Sequence, residues 1–549
     1  MYVVNELLAE MNSQIATLDW IVIVSYLVGL ILFGALLGLR QSSRSDYYVA
    51  GHKMGAVPIA ISVMATQCST NSILGAPAFV AFAVGGGLVW LQYELALPLA
   101  MIAVMTFFLP LFQRLRVISI YEYLERRFDL KTRLLLSGLF QIIRAFATAV
   151  TVYGIATVIA LITDLSFFYS VVLLGVVTVS YDVLGGIRAV VYSDVIQMFV
   201  LVSVLIFLVT LLTTEAGGLK VLLSEFDPQR TNALNFHQHG LGDGEDFAFW
   251  PMLIGGFFLY VSYYGCDQSQ VQRMLCAKSV AQGRLALVLN GLLRFPVVLL
   301  YCFLGVGIGV YAANNADFIG LLPLNGDAPN FNLVVPVFML EHLPVGAVGL
   351  ALVALFAAAM SSLDSVINSL SATTMDDFVR RFRCSSQWSD ATELFYSRIL
   401  TVFWGAVTLT LSFFVADIAT TILVAINKIG SLINGPVLAV FFLGIFTTRT
   451  TGTGACAGLL LGFILNLSLW QFMPSVSWLW WNVFGFFATC VSAWLISHLA
   501  AKTRSASGPP VHAEADDFLE FAHLSSNWAI AVLSLMGWFV VLLALLLQF

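Results

Sequence analysis

Hydrophobic runs of membrane-spanning length recur about fourteen times along the chain, at 18–38, 56–85, 88–113, 133–162, 166–185, 189–213, 247–266, 280–312, 335–376, 391–416, 418–447, 453–472, 476–499 and 527–548. Each approaches the roughly 20 residues that a hydrocarbon core of about 30 Å requires. With 60% hydrophobic and 10% charged residues and a mean hydropathy of +0.92, the chain is far too apolar for a soluble domain of 549 residues. Lipid-exposed backbone must satisfy its own hydrogen bonds, so the runs predict an all-α polytopic membrane protein of about 14 transmembrane helices.

The cations orient it. Arg40, Arg44 and Lys53 follow the first run; Arg114, Arg116, Arg126, Arg127, Lys131 and Arg133 surround the link after the third; Arg273, Lys278 and Arg284 follow the seventh. Arg380, Arg381 and Arg383 follow the ninth, and Lys502 and Arg504 the thirteenth. The intervening loops hold chiefly Lys220 and Arg230 among Glu225, Asp227, Asp243, Glu245 and Asp246. The positive-inside rule then puts the basic loops in the cytoplasm and both termini outside, in a plasma membrane or, for a bacterium, its inner membrane.

Residues 1–17 carry Glu6 and Glu10 and no basic stretch, so no cleavable signal peptide is expected. The cysteines at 68, 266, 276, 302, 384, 456 and 490 form no Cys-x-x-Cys, which argues against a structural metal or a disulfide framework. The polar stretches at about 214–246, 313–334 and 502–526 are too short for an attached catalytic domain. No nucleophile–base motif is present, and neither enzymatic activity, an organic cofactor nor a nucleic-acid partner is expected.

The stretch from Ala351 to Asp377, ALVALFAAAMSSLDSVINSLSATTMDD, places seven hydroxyl residues and Asp364 in an otherwise apolar helix. Such groups are costly at membrane depth unless they meet a cation, a substrate or one another. Ser361, Ser362 and Ser365 fall within little more than one turn, so their oxygens can gather around a hard ion of sodium's size. In the second run, Thr66 to Ser72 is polar, with Gly75 and Pro77 following, and a local break is expected there. Unwound backbone frees carbonyls that coordinate cations in transporters; the alternative is a Ser/Thr-rich helix packed closely on a neighbour.

Four segments resemble the sodium:solute symporter family, in the family's order: GGIRAVVYSDVIQ (185–197), DQSQVQRMLCAK (267–278), EHLPVGAVGLALVALFAAAMSSLDS (341–365) and GIFTTRTTGTGACAGLLLGFI (444–464). In the last, Arg449 is followed by Gly454-Ala455 and a small-residue helix. The resemblance spans about 46–462. It implies a single transporter domain with a LeuT-like core of two inverted five-helix repeats over about 56–447, flanked by helices at 18–38, 453–472, 476–499 and 527–548, with ion and solute near mid-membrane.

Carried over position by position, the resemblance puts the main sodium site on the carbonyls of Ala65, Cys68 and Ala358 and the hydroxyls of Ser361 and Ser362. The alternative is that these serines bond only to carbonyls one turn back. A possible second cation site falls on Asp194 and Ser365, with Asp364 where the family pattern has serine. Two neighbouring carboxylates either bind a cation or share a proton, so a second sodium, a coupled proton and an intracellular exit station for sodium are all open; a purely structural Asp194 is the other reading.

For the solute, resemblance to sugar-carrying members points to Gln67, Ser69 and Ser72 in the broken helix, Glu94 in the next, Tyr263 as an aromatic gate, Arg294 beyond it and Asn427. Arg144 is a further candidate, about one turn from the position, near Ala147, where a resembling sialic acid transporter holds its substrate's carboxylate. Arg294 lies about 15 Å inside its run, too deep to snorkel readily. Both arginines have a structural alternative, pairing with Glu94 or Asp364. The chain is expected to be a sodium-driven symporter of a polar organic solute, a sugar or sugar acid such as sialic acid first. A monocarboxylate or amino acid is the alternative, and a non-transporting sensor the alternative from another class, against which the short tail after Lys502 argues.

Overall fold

The computed structural model describes residues 15–39, 41–163, 165–325, 328–382, 388–415, 422–501 and 526–549. Arg40, Arg383, Cys384, Lys502, Arg504 and the acidic N-terminal residues invoked above lie outside them. Among the described residues, eleven helices are long and apolar enough to cross a membrane. The principal helices are α1 (Thr17–Gly38), α2 (Ala56–Gln67), α3 (Thr70–Phe82), α4 (Leu88–Leu115), α5 (Leu130–Thr163), α6 (Phe167–Glu215) and α7 (Gly256–Cys266). There follow α8 (Val280–Asn314), α9 (Ala347–Thr373), α10 (Asp390–Leu411), α11 (Ile422–Phe446), α12 (Gly452–Phe472), α13 (Trp478–Ala501) and α14 (Ser526–Leu546). Among the described residues the one strand pair is a two-residue ribbon, Leu324–Asn325 with Ala328–Pro329.

The chain is an all-α bundle in which α2–α3 through α6 and α7 through α11 form the two five-helix halves. Each half opens on an interrupted helix. In the first, α2 stops at Gln67 because Cys68 leaves helical geometry (φ −80°, ψ 60°), and α3 restarts after the extended Ser69. In the second, α7 stops at Asp267, whose carboxylate caps a further helix, Gln268–Leu275.

The fifth and sixth runs remain two helices, the arms of α6 on either side of the non-helical Gly186 (φ 52°, ψ −156°). A Cβ there would sit 2.7 Å from the Tyr47 carbonyl oxygen, so the break needs glycine for its dihedrals and for its close approach. The ninth run is not continuous: a short helix, Val334–His342, ends before Pro344, and α9 begins after Gly346 (φ 88°). Asp19 of α1 holds that start, its Oδ1 accepting from the Gly346 and Gly349 amides at 2.7 Å each. A carboxylate at a helix N-terminus answers otherwise unpaired N–H groups and contributes about 0.5–2 kcal/mol.

The end bearing the basic loops is tied by ion pairs. Arg133 meets Asp377 at 2.5 Å and Glu125 at 2.8 Å, while Ser119 and Ser137 donate to the other Asp377 oxygen. At the opposite end Phe79, Trp90 and Phe247 pack with ring centroids 4.8–6.1 Å apart, and Arg230 donates to the Ala83 carbonyl at 2.8 Å.

Candidate functional site

The last carbonyls of a helix have no partner within it. Those at the end of α2 point at α9. Ser361 Oγ donates to Ala65 O at 3.3 Å and to Ala358 O at 3.2 Å; Ser362 Oγ donates to Thr66 O at 3.0 Å and lies 3.5 Å from Ala358 O. The serines bond one turn back, as their structural alternative has it, and also reach across to the carbonyls of the broken helix. Ala65, Cys68, Ala358, Ser361 and Ser362 are all buried, and the Thr66 carbonyl joins the set although the sequence did not single it out.

Around the next turn lie the possible second-site residues. Ser365 Oγ bonds to Ser361 O at 2.7 Å, to Asp364 Oδ1 at 3.0 Å and to Thr66 Oγ1 at 3.2 Å. Asp194 accepts from Ser62 Oγ at 2.5 Å and lies 3.7 Å from Arg273 Nε, which itself bonds to Ser62 Oγ at 2.6 Å. Arg273 is a correction to the sequence reading: counted there as a loop cation, it is 1% exposed, because the helix Gln268–Leu275 turns into the bundle.

Beside the serines opens a cavity of about 430 Å³. Gln67, Ser69, Ser72, Arg144, Tyr263, Arg294 and Asn427 all line it, and so do Thr66 and Ser362, so the proposed ion ligands form part of its wall. Glu94 does not. It sits behind Arg294, bound at 2.9 and 3.3 Å by two guanidinium nitrogens and at 3.0 Å by Tyr260 OH. Arg294 Nη1 remains buried with no hydrogen-bond partner. Arg144 is paired with Asp267 at 2.5 Å and stacks 4.8 Å above the Tyr263 ring, while Tyr263 OH accepts from Gln270 at 2.8 Å. Arg294 thus has a carboxylate partner that its structural alternative named, whereas Arg144 pairs with Asp267 and with neither Glu94 nor Asp364.

Tyr260 and Tyr264, which donates to Gln67 Oε1, were also missed. A signal for them exists: residues 260, 263 and 264 share one helical face in YVSYYG.

An interrupted helix meeting a hydroxyl-lined helix at the wall of a polar cavity, inside two five-helix halves, defines a membrane transporter of the inverted-repeat type. The sequence profile of the sodium:solute symporter family matches residues 47–462, and the chain belongs to that family. A putative sodium-dependent multivitamin transporter of Drosophila melanogaster is 27% identical, over 90% of this chain and 88% of its own. Sodium-coupled monocarboxylate transporter 1 of Mus musculus is 30% identical, over 80% and 71%, and the sodium/sialic acid symporter NanT of Aliivibrio fischeri 29%, over 81% and 86%. The solved structure of a sodium-coupled sialic acid symporter, substrate-bound and outward-open, superposes with a TM-score of 0.80 at 22% identity, covering 90% of this chain and all of that one. That likeness shows the fold.

Proposed function

We propose that the protein is a sodium-coupled symporter that imports a polar organic solute carrying a carboxylate, a sugar acid such as sialic acid being the first choice. The observation that carries this reading is the shared wall: Ser362, one of the proposed sodium ligands, lines the solute cavity together with Thr66, whose carbonyl it bonds. Sodium held by the carbonyls of Ala65, Cys68 and Ala358 and the hydroxyls of Ser361 and Ser362 orders the end of α2, which positions Gln67, Ser69 and Ser72 for the solute. Coupling follows, because each ligand completes the other's site.

The carboxylate is argued from Arg294 Nη1, a guanidinium donor at the cavity wall without an acceptor. Arg144, Gln67, Ser72 and Asn427 supply the donors and acceptors that a polyhydroxylated body needs. A small monocarboxylate is the second reading, favoured by the monocarboxylate transporters among the relatives; it would use the arginine but fill little of a 430 Å³ cavity. The cavity reaches from Trp90 of the aromatic cluster to Tyr121, Leu136 and Asp267, toward the end with the basic loops.

The test is uptake into proteoliposomes with sodium replaced by potassium or choline, after a thermal-shift screen of sugar acids, sugars, amino acids and monocarboxylates with and without sodium. Stabilisation by a sugar acid only in sodium supports the reading. Equal uptake in potassium refutes it, and binding without flux favours a sensor.

A further inference from the structure

Beyond the serine pair, α9 presents Asp364 and Asn368 to α6, which answers with the consecutive residues Tyr181 and Asp182. Tyr181 OH donates to Asp364 Oδ2 at 2.5 Å, and Asn368 Nδ2 donates to Asp182 Oδ1 at 2.8 Å, so each helix contributes one carboxylate and one donor. Gln272 extends the cluster, its Nε2 donating at 2.8 Å both to Asn368 Oδ1 and to the Tyr48 carbonyl. Every one of these side chains is at most 1% exposed.

The cluster lacks positive charge and donors. Asp182 Oδ2 and Gln272 Oε1 are fully buried acceptors with no hydrogen-bond partner, and so is Asp194 Oδ1 nearby. Arg273 acts on Asp182, Asp194 and Asp364 alike, but one guanidinium balances one carboxylate, and its contacts are to Ser62 and Asp194. Buried water can satisfy a lone acceptor, but it cannot balance a charge; buried carboxylates are paired or hold a cation. Among the described residues no three His, Cys, Asp or Glu side chains converge on a metal position. That disfavours a divalent cage and suits a monovalent ion bound by one carboxylate with neutral amide oxygens.

We propose that Asp182, with the side-chain oxygens of Gln272 and Asn368, forms a sodium station between α6 and α9, distinct from the Ser361–Ser362 site and from the Asp194–Asp364–Ser365 group. Asn368 is seven residues beyond Ser361 on the same face of α9, about 10 Å further toward the end with the basic loops. An ion leaving the main site in that direction passes Asp364 and then Asp182. The station rests on the sodium-coupled reading above and adds to it an inner binding position.

The test is equilibrium binding of radioactive sodium to the purified full-length protein in nanodiscs, with N-methylglucamine as the balancing cation and no solute. Asp182→Asn is expected to bind one sodium fewer per protein than wild type at saturation. Gln272→Leu, which keeps the carboxylate, is expected to weaken the same component about 10- to 100-fold, the loss of one neutral ligand. It carries the test if Asp182→Asn fails to fold. Wild-type count and affinity in the folded variants overturn the station, as they would if a proton rather than sodium neutralised Asp182. A third protein, Ser361→Ala with Ser362→Ala, separates the two ideas. Loss of sodium there with none in Asp182→Asn refutes the station and spares the main site; the reverse refutes the main site and spares the station.

Discussion

Replacing Ser361 and Ser362 together by alanine removes two of the five oxygens proposed to hold sodium and leaves three carbonyls. Interactions of neutral groups with a charge contribute about 1.5–3 kcal/mol each, so the pair accounts for about 3–6 kcal/mol of sodium binding. At about 1.4 kcal/mol per tenfold, that weakens Kd by about 10²- to 10⁴-fold. The fold should survive: alanine is the best helix former, and the cost is the two hydroxyl bonds to the Ala65 and Thr66 carbonyls, about 1–3 kcal/mol for each carbonyl left unpaired. The assay is thermal unfolding of purified protein in sodium chloride against potassium chloride, without solute. In sodium at about 100 times the wild-type Kd, wild type gains about 2.7 kcal/mol, and a variant weakened 100-fold gains about 0.4 kcal/mol. The expected result is a sodium-specific rise in Tm for wild type that all but vanishes in the variant, while both unfold cooperatively in potassium. An unchanged sodium-specific rise means that these serines do not hold the ion.

Three further outcomes follow from particular contacts. Glu94→Gln leaves Arg294 buried beside a neutral partner, and breaking a buried pair costs about 3–5 kcal/mol, so Tm should fall sharply; an unchanged Tm would show that the pair does not brace α4 against α8. Gly349→Ala places a Cβ 2.7 Å from Asp19 Cα and 2.8 Å from its carbonyl oxygen, backbone atoms that cannot yield, and should cost about 1–3 kcal/mol in the same measurement. Burial pushes the Asp246 carboxyl above the usual carboxylate range, against the pull of Lys428 at 3.7 Å. The native state then holds this proton more tightly than the unfolded chain, so the group's stabilising contribution is present at low pH and is lost as pH rises through the raised value. Asp246→Asn should remove that component from the pH dependence of Tm, and a superimposable pH profile would contradict it.

What was readable in the sequence depended on whether a residue's neighbours along the chain carried the signal. The serines proposed to hold sodium announce themselves because hydroxyls at 361, 362 and 365 interrupt an apolar helix, and the break at Cys68 because Thr66 to Ser72 contains few helix formers. The break between the two arms of α6 was legible as the end of one run and the start of the next around Gly185-Gly186, but the approach of the Tyr47 carbonyl that requires glycine there was not.

Gln268–Leu275 was hidden for a different reason. Hydropathy measures transfer into lipid, so a helix bearing Gln268, Gln270, Gln272 and Arg273 reads as a cytoplasmic loop. It is nonetheless buried, because each polar side chain finds at least one partner inside the protein: Gln268 at Ile118 O and the Ile120 amide, Gln270 at Tyr263, Gln272 at Tyr48 O and Asn368, and Arg273 at Ser62. The pairing of Glu94 with Arg294 was among the open readings, but only the fold brings together residues 200 positions apart and so takes Glu94 out of the cavity wall. Asp182 escaped notice because a lone carboxylate a few residues from the end of an apolar run passes for a boundary charge. Its partner was within reach, however: Asn368 lies at i+7 from Ser361 in the hydroxyl-rich stretch, and a polar residue repeated on one face of a buried helix predicts something polar on the helix opposite.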